Sequence, residues 1–255
     1  MPELMDRPLT VFLFALVVLW IAAQTGAWLR RRHHSIDTSA REDLNVILAA
    51  ALTLLALVIG FTFSMALGRY DLRKTYEEAE ANVIGTEYVR TEMLPSADAV
   101  RIQALLRDYI DSRILFYETS DPERLRQIDA RTTRLHTELW SSIVPVAVAQ
   151  PTPITALVAA GMNDVLNSQG YAQAAWWNRI PLAAWALLGT IAVSCNLLVG
   201  YCARSSAGAT QRHVVLPFVL AVAVALIADI EAPRGGGIVV APQNLIALKS
   251  ALPAH

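Results

Sequence analysis

Residues 45–82 read NVILAAALTLLALVIGFTFSMALGRYDLRKTYEEAEAN, and this stretch decides the fold of the chain. Its first part, Asn45 to Leu67, carries no charge and meets the requirement of roughly 20 mostly apolar residues for a bilayer-spanning helix. From Arg69 onward the sequence is charged and amphipathic, with no proline to stop the helix. The pattern therefore predicts one long helix that leaves the membrane and enters water, as in channels and membrane-coupled sensors.

The composition places the chain among membrane proteins. Hydrophobic residues make up 55% of its 255 residues and charged residues 17%. The net charge of -1 shows no excess of positive charge, so nucleic acid is not an expected partner. Cys195 and Cys202 lie seven residues apart in one apolar run, which predicts buried thiols on one helix face and no disulfide between them.

Four apolar spans stand out along the sequence. They predict an all-α membrane protein with four transmembrane helices and a helical-bundle insertion between the second and third. Glu3 and Asp6 precede the first span, and we interpret that span as a retained helix rather than a signal peptide. The spans are Thr10–Leu29, Asn45–Leu67, Ile180–Tyr201 and Val214–Ala228.

The residues between the second and third spans have helical periodicity. Apolar positions such as Ile102, Leu106 and Tyr109 recur at helical spacing, and Asp121-Pro122 and Thr152-Pro153 are typical helix starts. After the fourth span we expect a turn, a short strand at 238–241 and a short helix at 243–252. The predicted divisions are a first transmembrane hairpin (1–68), an extramembrane bundle (69–178), a second transmembrane hairpin (179–232) and a C-terminal tail (233–255).

The charges of the short loops bear on orientation. Positive residues favour the cytoplasmic side, and short loops count most. In a four-span topology the two short loops lie on the same side, which this rule makes cytoplasmic, so the helical bundle is expected in the periplasm. The arginines concerned are Arg30, Arg31, Arg32 and Arg41 in the first loop and Arg204 and Arg212 in the second.

Three short segments carry a resemblance to a known family. They are Gly60 to Ser64 (GFTFS), Glu80 to Gly85 (EANVIG) and Asp229 to Gly236 (DIEAPRGG). With them the chain resembles the bestrophin-like family of bacterial membrane proteins over most of its length. A Gly-Phe pair followed nine residues later by Arg69-Tyr70 is also similar to the second transmembrane helix of the bestrophin ion channels.

The resemblance implies a pore. Bestrophins are pentameric channels in which the second helices line the pore and form a hydrophobic neck, and the helical domain is cytoplasmic, opposite to the loop-charge expectation. The neck positions carried over are Thr53, Leu57 and Phe61, and helical spacing extends this stripe through Ser64 and Gly68. An apolar stripe of this kind can gate by dewetting.

Some candidate site residues lie outside that stripe. Phe63 is a second neck candidate, because Leu55, Ile59 and Phe63 form an alternative stripe. The remaining candidates are charged residues that follow a span, either at a pore mouth after the second or at membrane depth after the fourth. They are Arg69, Arg73 and Lys74 at the mouth, and Asp229, Glu231 and Arg234 after the fourth span.

The functional expectation is an ion channel. We expect a cyclic homo-oligomer, a pentamer by resemblance, in the bacterial inner membrane, with lipid and inorganic ions as its other partners. The alternative is a non-conducting membrane scaffold or sensor whose helical domain binds a protein or small ligand. The sequence has no nucleophile–base pair, phosphate loop or metal quartet, so we expect no enzyme, no cofactor and no metal site.

Overall fold

The computed structural model describes residues 7–32, 38–202 and 209–253, and side chains within these ranges except at 38–41 and 209–213. In these ranges the regular structure is helical and contains no strand, which confirms the all-α prediction. A 3₁₀ turn, Thr91–Met93, follows the second helix. The α-helices are α1 (Pro8–Arg32), α2 (Thr38–Arg90), α3 (Ser96–Glu118), α4 (Pro122–Ala149), α5 (Pro153–Trp177), α6 (Leu182–Cys202), α7 (Ala209–Glu231) and α8 (Gln243–Ala251).

The prediction of four membrane spans is also confirmed. Four helical stretches contain a segment long and apolar enough to cross a membrane, by length and composition. They are Pro8–Arg32, Glu42–Met93, Pro153–Cys202 and Val214–Glu231.

The chain divides into two compact units. The first comprises residues 1–69 and 179–239, and the second comprises residues 70–178 and 240–255. Helix α2 is continuous over its 53 residues and contributes its earlier part to the first unit and its later part to the second.

Two glycines allow α1 and α6 to pack closely within the first unit. A Cβ on Gly26 would lie 2.0 Å from the carbonyl oxygen of Leu197, and a Cβ on Gly200 would lie 2.0 Å from the carbonyl oxygen of Ala23. Only a residue without a side chain fits at either position, and such small residues are typical of helix contacts in membranes. Phe12 of α1 packs edge-on against Phe218 of α7, with ring centroids 5.9 Å apart.

The second unit is a helical bundle with its own apolar core. Its helix starts follow from local chemistry: the Asp121 carboxylate accepts a hydrogen bond from the Glu123 N–H, and Thr152 and Thr155 form a reciprocal capping box. Both predicted caps are confirmed. The core is built on the periodic positions of α2 to α5 and closed by α8, and its fully buried members include Ile84, Ile102, Leu106, Tyr109, Ile110, Leu139, Val158, Met162, Val165 and Leu245.

The prediction of a short strand at 238–241 is wrong. After α7 the Asp229 carboxylate accepts hydrogen bonds from the backbone N–H groups of Gly237 and Ile238, at 2.6 and 3.1 Å. These bonds hold the glycine-rich segment in a turn, and residues 238–241 have no strand structure. The short helix expected at 243–252 is present as α8.

Candidate functional site

Helix α2 has a buried face in each of the two units. In the first unit Leu55, Thr62 and Ala66 are buried, and in the second unit Arg73, Glu77, Glu80, Ile84 and Glu87 are buried. Their separations of three, four or seven residues place them on one side of a 3.6-residue helix. This is the face with which α2 packs inside its own chain.

The neck residues expected from the resemblance lie on the opposite face. Thr53, Leu57, Phe61, Ser64 and Gly68 are all exposed, with 53% of Leu57 and 60% of Phe61 accessible. At about 100° per residue they lie about 120–180° around the helix axis from the buried Leu55. A Cβ on Gly68 would meet nothing within 4 Å. The packing of the chain thus leaves this whole stripe, hereafter the open face of α2, uncovered.

The alternative stripe has a different environment. Leu55 is 1% exposed, Ile59 is half-buried and Phe63 is 36% exposed. Phe63 lies about 160° around the helix from Phe61 at 100° per residue. Because the chain itself covers Leu55, the two stripes are not equivalent, and Phe63 does not share the open face.

Arg73 departs from its expected place at a pore mouth. Its side chain is 1% exposed, and its guanidinium donates to the carbonyl oxygens of Ala175 and Asn178, at 3.3 and 3.4 Å. The last carbonyls of a helix lack partners within it, so a basic side chain is favourable there. Arg73 therefore stabilises the end of α5 within the second unit.

The other two basic residues of the expected mouth differ from each other. Arg69 is half-buried, and its guanidinium donates to the carbonyl oxygen of Met65 one turn earlier. Lys74 is exposed. By helical spacing neither lies on the open face: Arg69 falls near the buried side and Lys74 at the flank.

Acidic residues occupy the positions that continue the spacing of the open face. Glu42 and Asp43 are exposed near the start of α2 in the first unit, and Asp71 and Glu78 are exposed in the second unit. Glu42 and Asp43 are not among the site residues expected from the sequence. Helical spacing counted backwards from Thr53 is the signal that would have found them.

The candidates after the fourth span have local structural partners. Asp229 holds the turn at Gly237, as described above. Glu231 is 5% exposed, and its Oε1 accepts a hydrogen bond from the Ile180 N–H at 2.5 Å, close to the start of α6. Arg234 is half-buried on the same turn. Asp229 and Glu231 thus fix backbone segments of the first unit.

Two buried glutamates of α2 organise the second unit. The Glu77 carboxylate accepts hydrogen bonds from the N–H groups of Asn244 and Leu245, at 2.9 and 3.0 Å, and so caps the start of α8. The Glu80 carboxylate accepts from the guanidinium of Arg113 at 2.5 Å and from the hydroxyl of Tyr117 at 3.1 Å. Local sequence patterns do not predict these contacts, because they join residues 33 or more positions apart.

The Glu80–Arg113 pair also affects its neighbours. Burial, and secondarily the Glu80 carboxylate, raises the pKa of the Tyr117 phenol. His136 on α4 lies 3.3 Å from the Tyr109 hydroxyl, and burial, together with the Arg113 guanidinium, lowers the pKa of its imidazole to about 4. His136 is therefore neutral at physiological pH.

Within the ranges that the structure describes, no three His, Cys, Asp or Glu side chains lie where they could hold a metal ion. The described residues form an all-α protein with four stretches long and apolar enough to cross a membrane, and its longest helix exposes the face that carries Leu57 and Phe61.

Solved structures share this fold. No family model and no curated protein matches the sequence. A tryptophan-to-alanine variant of a bacterial bestrophin homologue from Klebsiella pneumoniae superimposes with a TM-score of 0.67 at 14% identity, over 95% of this chain and 98% of that one. A structure of the Klebsiella pneumoniae homologue determined by zinc phasing gives a TM-score of 0.58 at 16% identity, over 96% and 99% of the two chains. The chain has the fold of bacterial bestrophin homologues over nearly its whole length.

Proposed function

We propose that the protein is an oligomeric ion channel whose pore is lined by the open face of α2. The observation that carries this proposal is that the chain buries one side of α2 and leaves the opposite apolar side, with Leu57 and Phe61, exposed. In a ring of copies, exposed side chains of this kind would converge on the symmetry axis and form an apolar neck that gates by dewetting.

The proposal requires self-association. A single stripe on one helix cannot enclose a path for ions, whereas several copies around an axis can. Solved structures with this fold are bestrophin homologues, and the resemblance to bestrophins makes a pentamer our expectation. The uncovered small residues Ser64 and Gly68 would leave the path wider beyond the neck.

The exposed charges near the two ends of the open face favour the passage of cations through the proposed pore. Arg73 is buried, which removes it from the proposed mouth, and Glu77 is buried against α8. The exposed charges that continue the spacing of the open face are acidic: Glu42 and Asp43 before the neck, and Asp71 and Glu78 after it. Rings of carboxylates attract cations and repel anions at a pore entrance.

The location is proposed to be the bacterial inner membrane. Loop charges favour a periplasmic helical bundle, although Arg204 of the second loop lies outside the described residues. A reporter fused after Ser120, in the connection between α3 and α4, tests this. Activity from a periplasmic reporter alone is expected, and activity from a cytoplasmic reporter alone would reverse the orientation.

The function is tested with the purified full-length chain. Its mass in nanodiscs should correspond to a closed ring, and planar bilayers containing it should carry current. In a potassium chloride gradient the reversal potential should lie towards that of potassium. A ring that carries no current would support the scaffold or sensor instead, and a strict monomer would exclude the proposed pore.

A further inference from the structure

Glu87 is a buried carboxylate that the proposed pore does not use. It lies on the later part of α2, in the second unit, and is 0% exposed. Neither of its oxygens has a hydrogen-bond partner among the described residues. A buried carboxylate without hydrogen bonds is costly when ionised, because it has lost its water without gaining equivalent donors.

The carboxylate lies directly against α5. A Cβ placed on Gly161 would be 1.9 Å from Glu87 Oε2, so the place of the carboxylate exists only because residue 161 is a glycine. Every other residue type would push the carboxylate out or separate the two helices. Glu87 and Gly161 thus form a direct contact between α2 and α5.

The charged groups around this carboxylate differ in sign. Arg90, one turn further along α2, has its guanidinium 3.9 Å from Glu87 Oε2, which is longer than a hydrogen bond. Asp164, exposed on α5, adds a negative charge. Burial, opposed by Arg90 and reinforced by Asp164, raises the pKa of Glu87 to about 8. Its protonation therefore changes within a range of pH that cells and membranes experience.

We propose that Glu87 is a proton-operated latch between α2 and α5. With a neutral Glu87 the carboxyl stays against Gly161 and the two helices remain packed. Loss of the proton places a charge in this contact, and α5 parts locally from α2 to hydrate it. The latch operates inside the second unit and does not require that the protein conduct ions.

The latch is tested by hydrogen exchange of the full-length protein in detergent, between pH 6 and pH 9.5, corrected for the intrinsic exchange rate. In the wild type, amides of α5 around Gly161 should lose protection as the pH rises, with a midpoint near the pKa of Glu87. In Glu87→Gln, which resembles the neutral carboxyl in shape, protection should stay constant over the same range. Glu92→Gln, an exposed control in the following 3₁₀ turn, should behave like the wild type.

Two further variants keep the test decisive if Glu87→Gln fails to fold. Asp164→Asn removes a negative charge and should move the midpoint to lower pH. Arg90→Gln removes a positive charge and should move it to higher pH. Opposite shifts would support the latch. Constant protection in the wild type, an unchanged pH dependence in Glu87→Gln, or a midpoint that neither neighbour moves would overturn it.

Discussion

Leu55 and Leu57 lie two residues apart on α2 and face opposite ways: Leu55 is 1% exposed and Leu57 is 53% exposed. The chain itself packs over the first and leaves more than half of the second accessible. This difference distinguishes the two stripes that the sequence left equivalent. It places Leu57 and Phe61 on a surface that must be met by lipid, by another copy or by the contents of a pore.

Gly200 and Gly68 have opposite surroundings in the first unit, and a comparison of alanine substitutions at the two positions tests the packing of α1 against α6. Gly200→Ala should force the backbones of α6 and α1 apart, because the new Cβ would lie 2.0 Å from the Ala23 carbonyl oxygen. Overpacking of this kind costs about 1–3 kcal/mol, and the melting temperature in detergent should fall. Gly68→Ala is the matched control, since its Cβ would meet nothing within 4 Å. Equal destabilisation by both changes would contradict the packing described here.

The buried ion pair of the second unit should be strongly coupled. Both the Glu80 and Arg113 side chains are 0% exposed, so Arg113→Met leaves an unpaired buried carboxylate and should cost about 3–5 kcal/mol. The double variant Glu80→Leu/Arg113→Met should lose much less than the sum of the two single changes. Denaturant unfolding of the four proteins measures this, and simple additivity would show that the pair is not coupled.

The stability of the second unit should depend on His136 in acid. Its folded pKa of about 4 lies below the ordinary value of 6.5, so between these values the unfolded chain binds more protons than the folded one. The contribution of His136 to the free energy of unfolding is therefore fully present above pH 6.5 and is lost as the pH falls towards 4. In His136→Gln the melting temperature should fall less between pH 7 and pH 4.5 than in the wild type. An unchanged difference would argue against a buried, neutral histidine.

Selectivity should respond to the acidic residues at the two ends of the open face. Neutralising Glu42 or Asp71, by Glu42→Gln or Asp71→Asn, should move the reversal potential in a potassium chloride gradient towards zero. Glu138→Gln, an exposed change on α4, should leave it where it is. If all three variants have the reversal potential of the wild type, these carboxylates do not set selectivity.

Local patterns predicted most of the fold. The apolar runs gave the four spans, and the Asp121 and Thr152 caps gave the starts of α4 and α5, because these signals act between near neighbours. The burial of Arg73 and the caps made by Glu77 depend on residues about 100 or more positions away, so helical periodicity could not predict them. The strand expected at 238–241 failed for a more local reason: the Asp229 carboxylate, eight and nine residues earlier, accepts hydrogen bonds from Gly237 and Ile238 and holds the chain there in a turn.

The candidate site was predictable in part. The family resemblance gave the stripe through Thr53 and Phe61, but periodicity alone favoured the stripe through Phe63 equally. Only the packing of α2 within its chain separates them, because burial depends on which neighbours cover each face. The packing was also needed to decide which charged residues are exposed at the ends of the stripe, since sequence spacing cannot tell a buried arginine from an exposed one.

The most direct test of the channel proposal compares two phenylalanines on one helix. Phe61 belongs to the open face and Phe63 lies about 160° away around α2, so truncation removes the same ring from two different surroundings. Unitary conductance is measured in planar bilayers for the wild type, Phe61→Ala and Phe63→Ala. If Phe61 lines a dewetted neck, Phe61→Ala should raise conductance or open probability, while Phe63→Ala should stay near the wild type. Equal effects of the two changes, or an effect of Phe63→Ala alone, would contradict a pore lined by the open face.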